Sequence, residues 1–201
     1  MRRFVTVSHT ADPSGAWSLN DLAGKAGRVD LLCRNIQSAL FLSHGLRRDA
    51  EFYAVLERDA GRGRTVRIEG SRIQMLHPDE RSTAARLQQA LATPWSVPDW
   101  EEAQAGLSVA AFGLEGLLDD LAGKGDLVLL DPEGEGIADW MPPADPLFLL
   151  SDHVPFAADE YALLERRGAK RVSLGPAWMH GNHAISVVNW HLDRAEASRI
   201  A

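Results

Sequence analysis

Three short segments of this chain place polar side chains next to glycine or proline, directly after strand-like apolar runs. They are DPEG at 131–134, SDHVP at 151–155 and GPAWMHGNH at 175–183. Ligands of α/β sheets bind beyond the carboxyl ends of the strands. The sequence therefore predicts that these three segments form the functional site.

The histidines in and after these segments offer two further kinds of chemistry. His180, His183 and His191 could join Asp152 as metal ligands, but their spacing matches no common zinc pattern, so we predict no metal. Asp152 and His153 could belong to a catalytic dyad. Alternatively, Asp152 accepts hydrogen bonds from backbone N–H groups and fixes its loop, which is the interpretation we favour.

Several common catalytic and redox motifs are absent from the sequence. No GxGxxG follows a strand, and neither a P-loop motif nor GxSxG occurs. A dinucleotide oxidoreductase, a P-loop NTPase and an α/β-hydrolase therefore lose their usual support. Cys33 is the single cysteine, which excludes a disulfide framework and any multi-cysteine metal site and fits a reducing compartment. Its place on an apolar helix face indicates a core residue.

The elements that must position these residues alternate along the chain. Apolar residues at spacings of three and four predict helices over 28–44, from 78 onward, and over 114–121, 157–167 and 183–194. Strand-like segments span 4–7, 51–56, 65–69, 107–112, 127–130, 147–150 and 171–174. A turn is predicted at 59–63 and a connector at 93–104. This alternation predicts an α/β fold with a largely parallel sheet and helices on both faces.

The net charge of −7 is unevenly distributed over the 201 residues. Residues 1–86 carry fourteen Lys and Arg against ten Asp and Glu, a net +4, whereas residues 87–201 carry seven against eighteen, a net −11. The basic half could therefore face a polyanion. Eighteen of the 21 basic residues are arginine, which suits phosphate contacts and base stacking, although a GC-rich genome would produce the same bias.

The composition is that of an ordinary globular protein, with 45% hydrophobic and 24% charged residues. Neither a signal peptide nor a membrane-spanning stretch is recognisable. We therefore expect a cytoplasmic protein that is neither secreted nor embedded in a membrane.

Four blocks of sequence, in this order and spacing, resemble one family of RNA-modifying enzymes. They are GRVDLLCR at 27–34, FLSHGLRRD at 41–49, PDERS at 78–82, and LSDH at 150–153 followed by SLGP at 173–176. From residue 3 to about residue 194 the chain is similar to the TrmY family, the archaeal tRNA pseudouridine-54 N1-methyltransferases of the SPOUT superfamily. Only the connector and residues 131–143 match loosely.

The resemblance implies a single SPOUT methyltransferase domain over residues 1–201, an α/β fold with a C-terminal trefoil knot, and a homodimer. Residues 1–92 would be the basic half that faces RNA, and residues 105–201 the knotted half that binds S-adenosylmethionine (SAM). The implied SAM-binding residues are Leu130, Leu150, Ser151, Asp152, Ser173, Leu174, Gly175, Pro176 and Met179. The family commonly has a cysteine after its His-x-x-His block, where this chain has Ala184. A catalytic thiol is therefore not required, and we expect Ala184 to line the SAM pocket.

The resemblance also implies methylation of pseudouridine at N1, whose proton must be accepted. We expect Asp79 to accept it, with Arg81 and Arg34 stabilising the anionic ring. Alternatively, Asp79 only caps its helix and Arg81 pairs with Glu80 or Asp49. The arginines that we expect to bind tRNA phosphates are Arg28, Arg34, Arg47, Arg48 and Arg81.

Two other functions are compatible with the same residues. A related SPOUT enzyme could methylate pseudouridine in ribosomal RNA or a uridine ribose, because a fold does not determine its substrate. A non-catalytic RNA-binding protein could retain the fold without the SAM site. Titration with SAM separates the binding protein from the enzymes.

Overall fold

We describe the protein from a computed structural model that covers residues 1–57, 63–94 and 99–200. The predicted turn at 59–63 falls almost wholly outside the described residues, and so does the middle of the predicted connector at 93–104.

Strands and helices alternate along most of the chain. Before residue 95 the elements are β1 (Arg2–Ser8), α1 (Val29–Leu40), β2 (Phe41–Leu42), β3 (Gly45–Leu46), β4 (Ala50–Leu56), β5 (Arg64–Glu69) and α2 (Glu80–Leu91). After residue 98 they are β6 (Glu101–Gln104), β7 (Leu107–Ala110), α3 (Leu114–Asp120), β8 (Asp126–Gly136), β9 (Pro146–Ser151), α4 (Ala158–Arg166), β10 (Lys170–Ser173) and α5 (Gly181–Ile200).

One eight-stranded sheet joins both halves of the chain, in the order β10-β8-β9-β1-β4-β5-β7-β6. From β10 to β4 every neighbouring pair is parallel. The pairs from β4 to β6 are antiparallel. The predicted α/β fold with a mostly parallel sheet is confirmed. The end of the predicted connector is not a loop, because residues 101–104 form the edge strand β6, which pairs with β7.

Helices cover both faces of the sheet, as predicted. Phe4, Phe52 and Phe148 belong to the core cluster that includes the buried residues of α1, α2 and α5, whereas Val5 and Val7 belong to the cluster of α3 and α4. Successive strand residues point to opposite faces, so neighbours in β1 pack into different layers. Each such side chain contributes about 1.5–3 kcal/mol when it is fully buried.

Two helices differ in extent from the prediction. Helix α1 ends at Leu40 rather than residue 44, because Phe41 is extended and the chain enters the β2–β3 hairpin. Helix α5 begins at Gly181 and runs to Ile200, beyond the predicted end at 194. Within the described ranges, no helix is both long and apolar enough to cross a bilayer.

Strand β8 continues past its predicted end at residue 130. Arg171 and Val172 are neighbours in β10, yet they pair with Leu129 and Glu135 of β8. Residues 130–134 therefore bulge out of the ladder between β8 and β10. The bulge lies at the carboxyl end of the regular part of β8, where the first candidate segment was expected.

Candidate active site

A cavity of about 480 Å³ lies where the parallel strands β8, β9 and β10 end. All three predicted segments contribute to its wall, together with residues of α1, α4 and α5. A volume of this size is typical of sites for small molecules.

Most of the predicted SAM-binding residues lie in the cavity wall. They are Leu130, Leu150, Ser151, Asp152, Leu174, Gly175, Met179 and Ala184. Of the predicted residues, all of which the structure describes, Ser173 and Pro176 are not in the wall. Ser173 is buried, and its hydroxyl accepts a hydrogen bond from the Gly175 N–H at 3.2 Å. Ser173 therefore shapes the third segment from within.

Gly175 gives the third segment an open side. Its φ is 128°, a conformation that residues with a side chain rarely adopt, and a Cβ there would meet no described atom within 4 Å. A ligand can therefore approach the backbone at Gly175 closely.

The carboxylate of Asp152 is committed to contacts inside the protein. Its side chain is 1% exposed, and it accepts hydrogen bonds from the backbone N–H groups of Val154 (2.8 Å) and His9 (3.1 Å) and from the Ser8 hydroxyl (3.0 Å). Burial opposes its ionisation, but the hydrogen bonds from His9, Val154 and Ser8 outweigh burial and hold the pKa of Asp152 below its ordinary value. Asp152 thus fixes its loop by accepting hydrogen bonds from backbone N–H groups, which is the interpretation that we favoured from the sequence.

His9, which the sequence analysis did not single out, contacts the same loop. Its Nδ1 lies 3.5 Å from Asp152 Oδ1, and its Nε2 lies 3.0 Å from the Glu160 carboxylate. These hydrogen bonds to Asp152 and Glu160 outweigh burial and raise the pKa of His9 to about 10. The one sequence signal that could have identified His9 is its position directly after β1, at the sheet edge where ligands bind.

Helices α1 and α5 meet at the cavity through Asn35 and Gly181, both of which line it. Asn35 is buried, and its amide donates a hydrogen bond to Thr6 Oγ1 at 3.2 Å. A Cβ on Gly181 would lie 2.8 Å from the Asn35 amide nitrogen. Sequence reasoning missed Asn35 because it lies among the apolar residues of α1, which periodicity assigns to the core.

Arg28 connects the cavity to the predicted catalytic residue Arg34. Arg28 lines the cavity and precedes α1 with a left-handed φ of 60°. Its guanidinium donates to both carboxylate oxygens of Asp30, at 3.0 and 3.1 Å, and Asp30 also accepts a hydrogen bond from Arg34 at 2.7 Å. Arg34 in turn donates to Glu80 at the start of α2, at 2.7 Å. The buried Asp30 thereby links the cavity wall to the N-terminus of α2.

Asp79 and Arg81 lie at that N-terminus. Asp79 is the N-cap of α2, and its Oδ1 accepts a hydrogen bond from the Ser82 N–H at 2.8 Å, which lowers the pKa of Asp79. Arg81 donates to the Asn20 side chain at 2.6 Å and to the Leu19 carbonyl at 3.1 Å. Among the residues the structure describes, neither Asp79 nor Arg81 lines the cavity.

The adjacent arginines Arg47 and Arg48 have different surroundings. Both terminal nitrogens of Arg47 donate to Asp193 of α5, at 3.0 and 2.7 Å, and its side chain is only 14% exposed. Arg48 is exposed and donates to the Gly70 carbonyl at 2.8 Å. Arg48 is therefore the more accessible of the two to a phosphate group.

The histidines considered as metal ligands are not gathered around one point. The rings of His180 and His183 meet edge to face at 5.8 Å, whereas His191 stacks on Trp140. In the described part of the chain, no three His, Cys, Asp or Glu side chains are arranged to hold a metal ion.

Comparisons with known proteins agree with this architecture. A family model described as "Putative SAM-dependent RNA methyltransferase" matches residues 1–197. A protein of Haloarcula marismortui named tRNA (pseudouridine(54)-N(1))-methyltransferase is 44% identical over 99% of this chain and 100% of its own. A relative of the same name in Halobacterium salinarum is 43% identical over 97% of each chain.

A solved structure, Archaeoglobus fulgidus Nep1 bound to S-adenosylhomocysteine, resembles this fold with a TM-score of 0.65 over 98% of both chains. The two chains are 15% identical, so this likeness concerns the fold alone.

Proposed function

This chain belongs to the family of SAM-dependent RNA methyltransferases, and from that premise we propose that it transfers a methyl group from SAM to N1 of pseudouridine 54 in tRNA. The observation that carries the proposal is the cavity at the carboxyl ends of β8, β9 and β10, because its wall is built from the three segments expected to hold SAM.

The chemistry of the cavity wall fits SAM. An adenine ring requires apolar surfaces, which Leu130, Leu150 and Leu174 supply, and Gly175 permits close contact with the backbone. When bound, SAM supplies an electrophilic methyl group. The tasks left to the protein are to align the acceptor base, to remove its proton and to stabilise the resulting charge.

Stabilisation of the anionic base falls to arginines near the cavity. Arg28 lines the cavity, and Asp30 holds Arg28 and Arg34 in one hydrogen-bonded network. A fixed positive charge beside the uracil ring favours loss of the N1 proton, and it costs no reorganisation at the moment of reaction. Arg81 supplies a further charge at the start of α2.

Asp79 is our proposed acceptor of the N1 proton. Its carboxylate is exposed, so a base turned out of the T-loop stack, at a cost of a few kcal/mol, can reach it. Like an ordinary aspartate it is ionised at neutral pH, and the hydrogen bond from Ser82, which lowers the pKa of Asp79, makes it a weaker base. Proton transfer to Asp79 therefore depends on the nearby arginines to acidify N1.

We propose that tRNA binds along the basic half, residues 1–92, while residues 105–201 hold SAM within one SPOUT domain. The exposure of Arg48 and the position of Arg28 in the cavity wall support this orientation. The proposed phosphate-binding residues are Arg28, Arg34, Arg47, Arg48 and Arg81.

We further propose a homodimer with a C-terminal trefoil knot, located in the cytoplasm where tRNA is modified. Trp178, Met179 and Trp190 are large apolar side chains that are 73%, 43% and 57% exposed in the single chain. Trp178 and Met179 also line the cavity, and an exposed apolar patch beside a site is a feature of protein interfaces. The order β10-β8-β9, in which the last strand returns beside β8, supports the knot.

Mass spectrometry of nucleosides tests the function directly. The protein is incubated with isotope-labelled SAM and tRNA that carries either pseudouridine or uridine at position 54. We expect labelled N1-methylpseudouridine from the first tRNA only. Product in ribosomal RNA or on a ribose would indicate a related SPOUT enzyme, and SAM binding without any product would indicate a binding protein.

A further inference from the structure

His9 connects three elements beside the cavity. It follows the last residue of β1, and its ring lies between Asp152, which follows β9, and Glu160 in the first turn of α4. The side chain is 18% exposed, so both ion pairs are partly shielded from water. Interactions between charges in such surroundings are stronger than on an open surface.

Both partners of His9 also hold the backbone of the segment between β9 and α4. Asp152 accepts the Val154 N–H at 2.8 Å, and Glu160 accepts the Ala157 N–H at 2.7 Å. Residues 152–157 are therefore attached at two points to carboxylates that share one imidazole. The segment cannot move away from β1 without breaking the contacts of Asp152 with Ser8 and of Asp152 and Glu160 with His9.

The same segment forms a wall of the cavity. Asp152 and Phe156 line it, and the Phe156 ring meets the His9 ring edge-on at 6.3 Å and Tyr161 at 5.8 Å. Among the described residues, His9 itself is not in the cavity wall. His9 therefore contacts the cavity wall through this segment and does not touch the cavity itself.

We propose that His9 is a positioning residue for the SAM site: by bridging Asp152 and Glu160 it fixes residues 151–157 as a cavity wall and so sets the affinity for SAM. Without the imidazolium, the two partly buried carboxylates would keep their backbone and hydroxyl donors, and Asp152 would keep His153 Nδ1 at 3.7 Å, but the charged group that both share would be lost, which is unfavourable. This proposal rests on the SAM site of the proposed function and is independent of the RNA substrate.

Two variants and one control test the proposal. His9→Gln removes the charge between the carboxylates. Glu160→Gln removes one ion pair but retains the start of α4, because glutamine can also accept the Ala157 N–H in a capping box. His191→Gln is the matched control, since His191 is also partly buried but its Nε2 lies 3.2 Å from the Trp140 carbonyl.

The measurements are calorimetric titration with S-adenosylhomocysteine, hydrogen exchange of the backbone N–H groups of residues 151–157 other than Pro155, and a tRNA binding assay. We expect His9→Gln to weaken S-adenosylhomocysteine binding about tenfold or more and Glu160→Gln to weaken it several-fold. Faster exchange in the segment and unchanged tRNA affinity should accompany both losses. His191→Gln should bind as the wild type does.

Folded His9 and Glu160 variants that bind S-adenosylhomocysteine within twofold of wild type would overturn the positioning role. A wild-type protein without any such binding would overturn the SAM site as well. A protein that binds S-adenosylhomocysteine in a His9-dependent manner but yields no methylated tRNA would support the positioning role while contradicting the proposed reaction.

Discussion

Gly181, the first residue of α5, lies against the side-chain amide of Asn35 on α1, so that a Cβ on Gly181 would come within 2.8 Å of the amide nitrogen and 2.9 Å of the amide oxygen. Asn35 is buried and tied to Thr6 by a hydrogen bond of 3.2 Å, so it cannot easily withdraw. The contact between the two helices at the cavity therefore leaves no room for a Cβ at position 181 unless Asn35 shifts.

Gly181→Ala should therefore displace Asn35 and disturb the cavity wall. We expect a lower melting temperature and about tenfold weaker S-adenosylhomocysteine binding, even though alanine is the better helix former. Thermal melts and calorimetry provide the measurements. Gly45→Ala is the control, because a Cβ there meets no described atom within 4 Å; equal effects of the two substitutions would contradict the role of the Gly181 contact.

Gly175→Val should weaken binding of SAM and S-adenosylhomocysteine. The new side chain would fill the open side of the third segment, where the backbone is expected to contact the ligand. Gly168→Val is the control. Gly168 also has a positive φ, 80°, and an open side, but it lies just after α4 and not in the cavity wall. Calorimetry should show a loss of affinity for the Gly175 variant alone, and equal affinity in both variants would remove Gly175 from the site.

Binding of tRNA should weaken steeply with salt despite the net charge of −7, because each neutralised phosphate releases counterions. Replacing Arg47 and Arg48 by alanine should flatten the plot of log K against log salt, by up to about 0.9 for each lost duplex phosphate contact. We expect Arg48→Ala to account for most of the change, since Arg47 is bound to Asp193. Arg166→Ala is the control, because it removes an exposed charge from the acidic half and should leave the slope unaltered. If replacing Arg47 and Arg48 changes the slope no more than this control does, the proposed RNA face is wrong.

Asp79→Asn tests the proton acceptor, because the amide retains most of the capping ability and loses the basicity. If Asp79 accepts the N1 proton, single-turnover methylation of pseudouridine-containing tRNA should fall about a hundredfold or more. The affinities for SAM and tRNA should remain near those of wild type. A rate within a few fold of wild type at unaltered thermal stability would leave Asp79 as a helix cap only.

Stability at alkaline pH should depend on His9. Hydrogen bonds to Asp152 and Glu160 raise its pKa from the ordinary 6.5 to about 10, and Glu57 and Asp159 add negative charge around this cluster. The contribution of charged His9 to the free energy of unfolding is complete below about pH 6.5 and is lost as the pH rises towards 10. In this interval the imidazole of His9 keeps its proton in the folded protein and loses it in the unfolded chain. The difference in urea midpoint between wild type and His9→Gln should therefore shrink over this interval, and a constant difference would show that folded His9 is uncharged.

Much of the site was predictable because its signals are local in the sequence. A strand end followed by polar residues and by glycine or proline marks the segments around Leu130, Ser151 and Gly175. The sheet then brings such ends to one edge. Asp79 before α2 is likewise readable as a cap, since the contact joins it to Ser82 only three residues away. The family resemblance added the ligand and the reaction, which periodicity alone does not specify.

The sequence by itself therefore determined the alternation of strands and helices, the edge at which ligands bind and the family to which the chain belongs. Only the tertiary structure decided that His9 bridges Asp152 and Glu160, that Arg34 of α1 pairs with Glu80 of α2, and that Gly181 lies against Asn35. Asp152 lies 143 positions and Glu160 lies 151 positions from His9 in the sequence. The contact of Asn35 with Gly181 joins the first helix to the last. Hydrogen bonds act over about 3 Å, so side chains this distant in sequence become partners only when the fold brings them to within that distance.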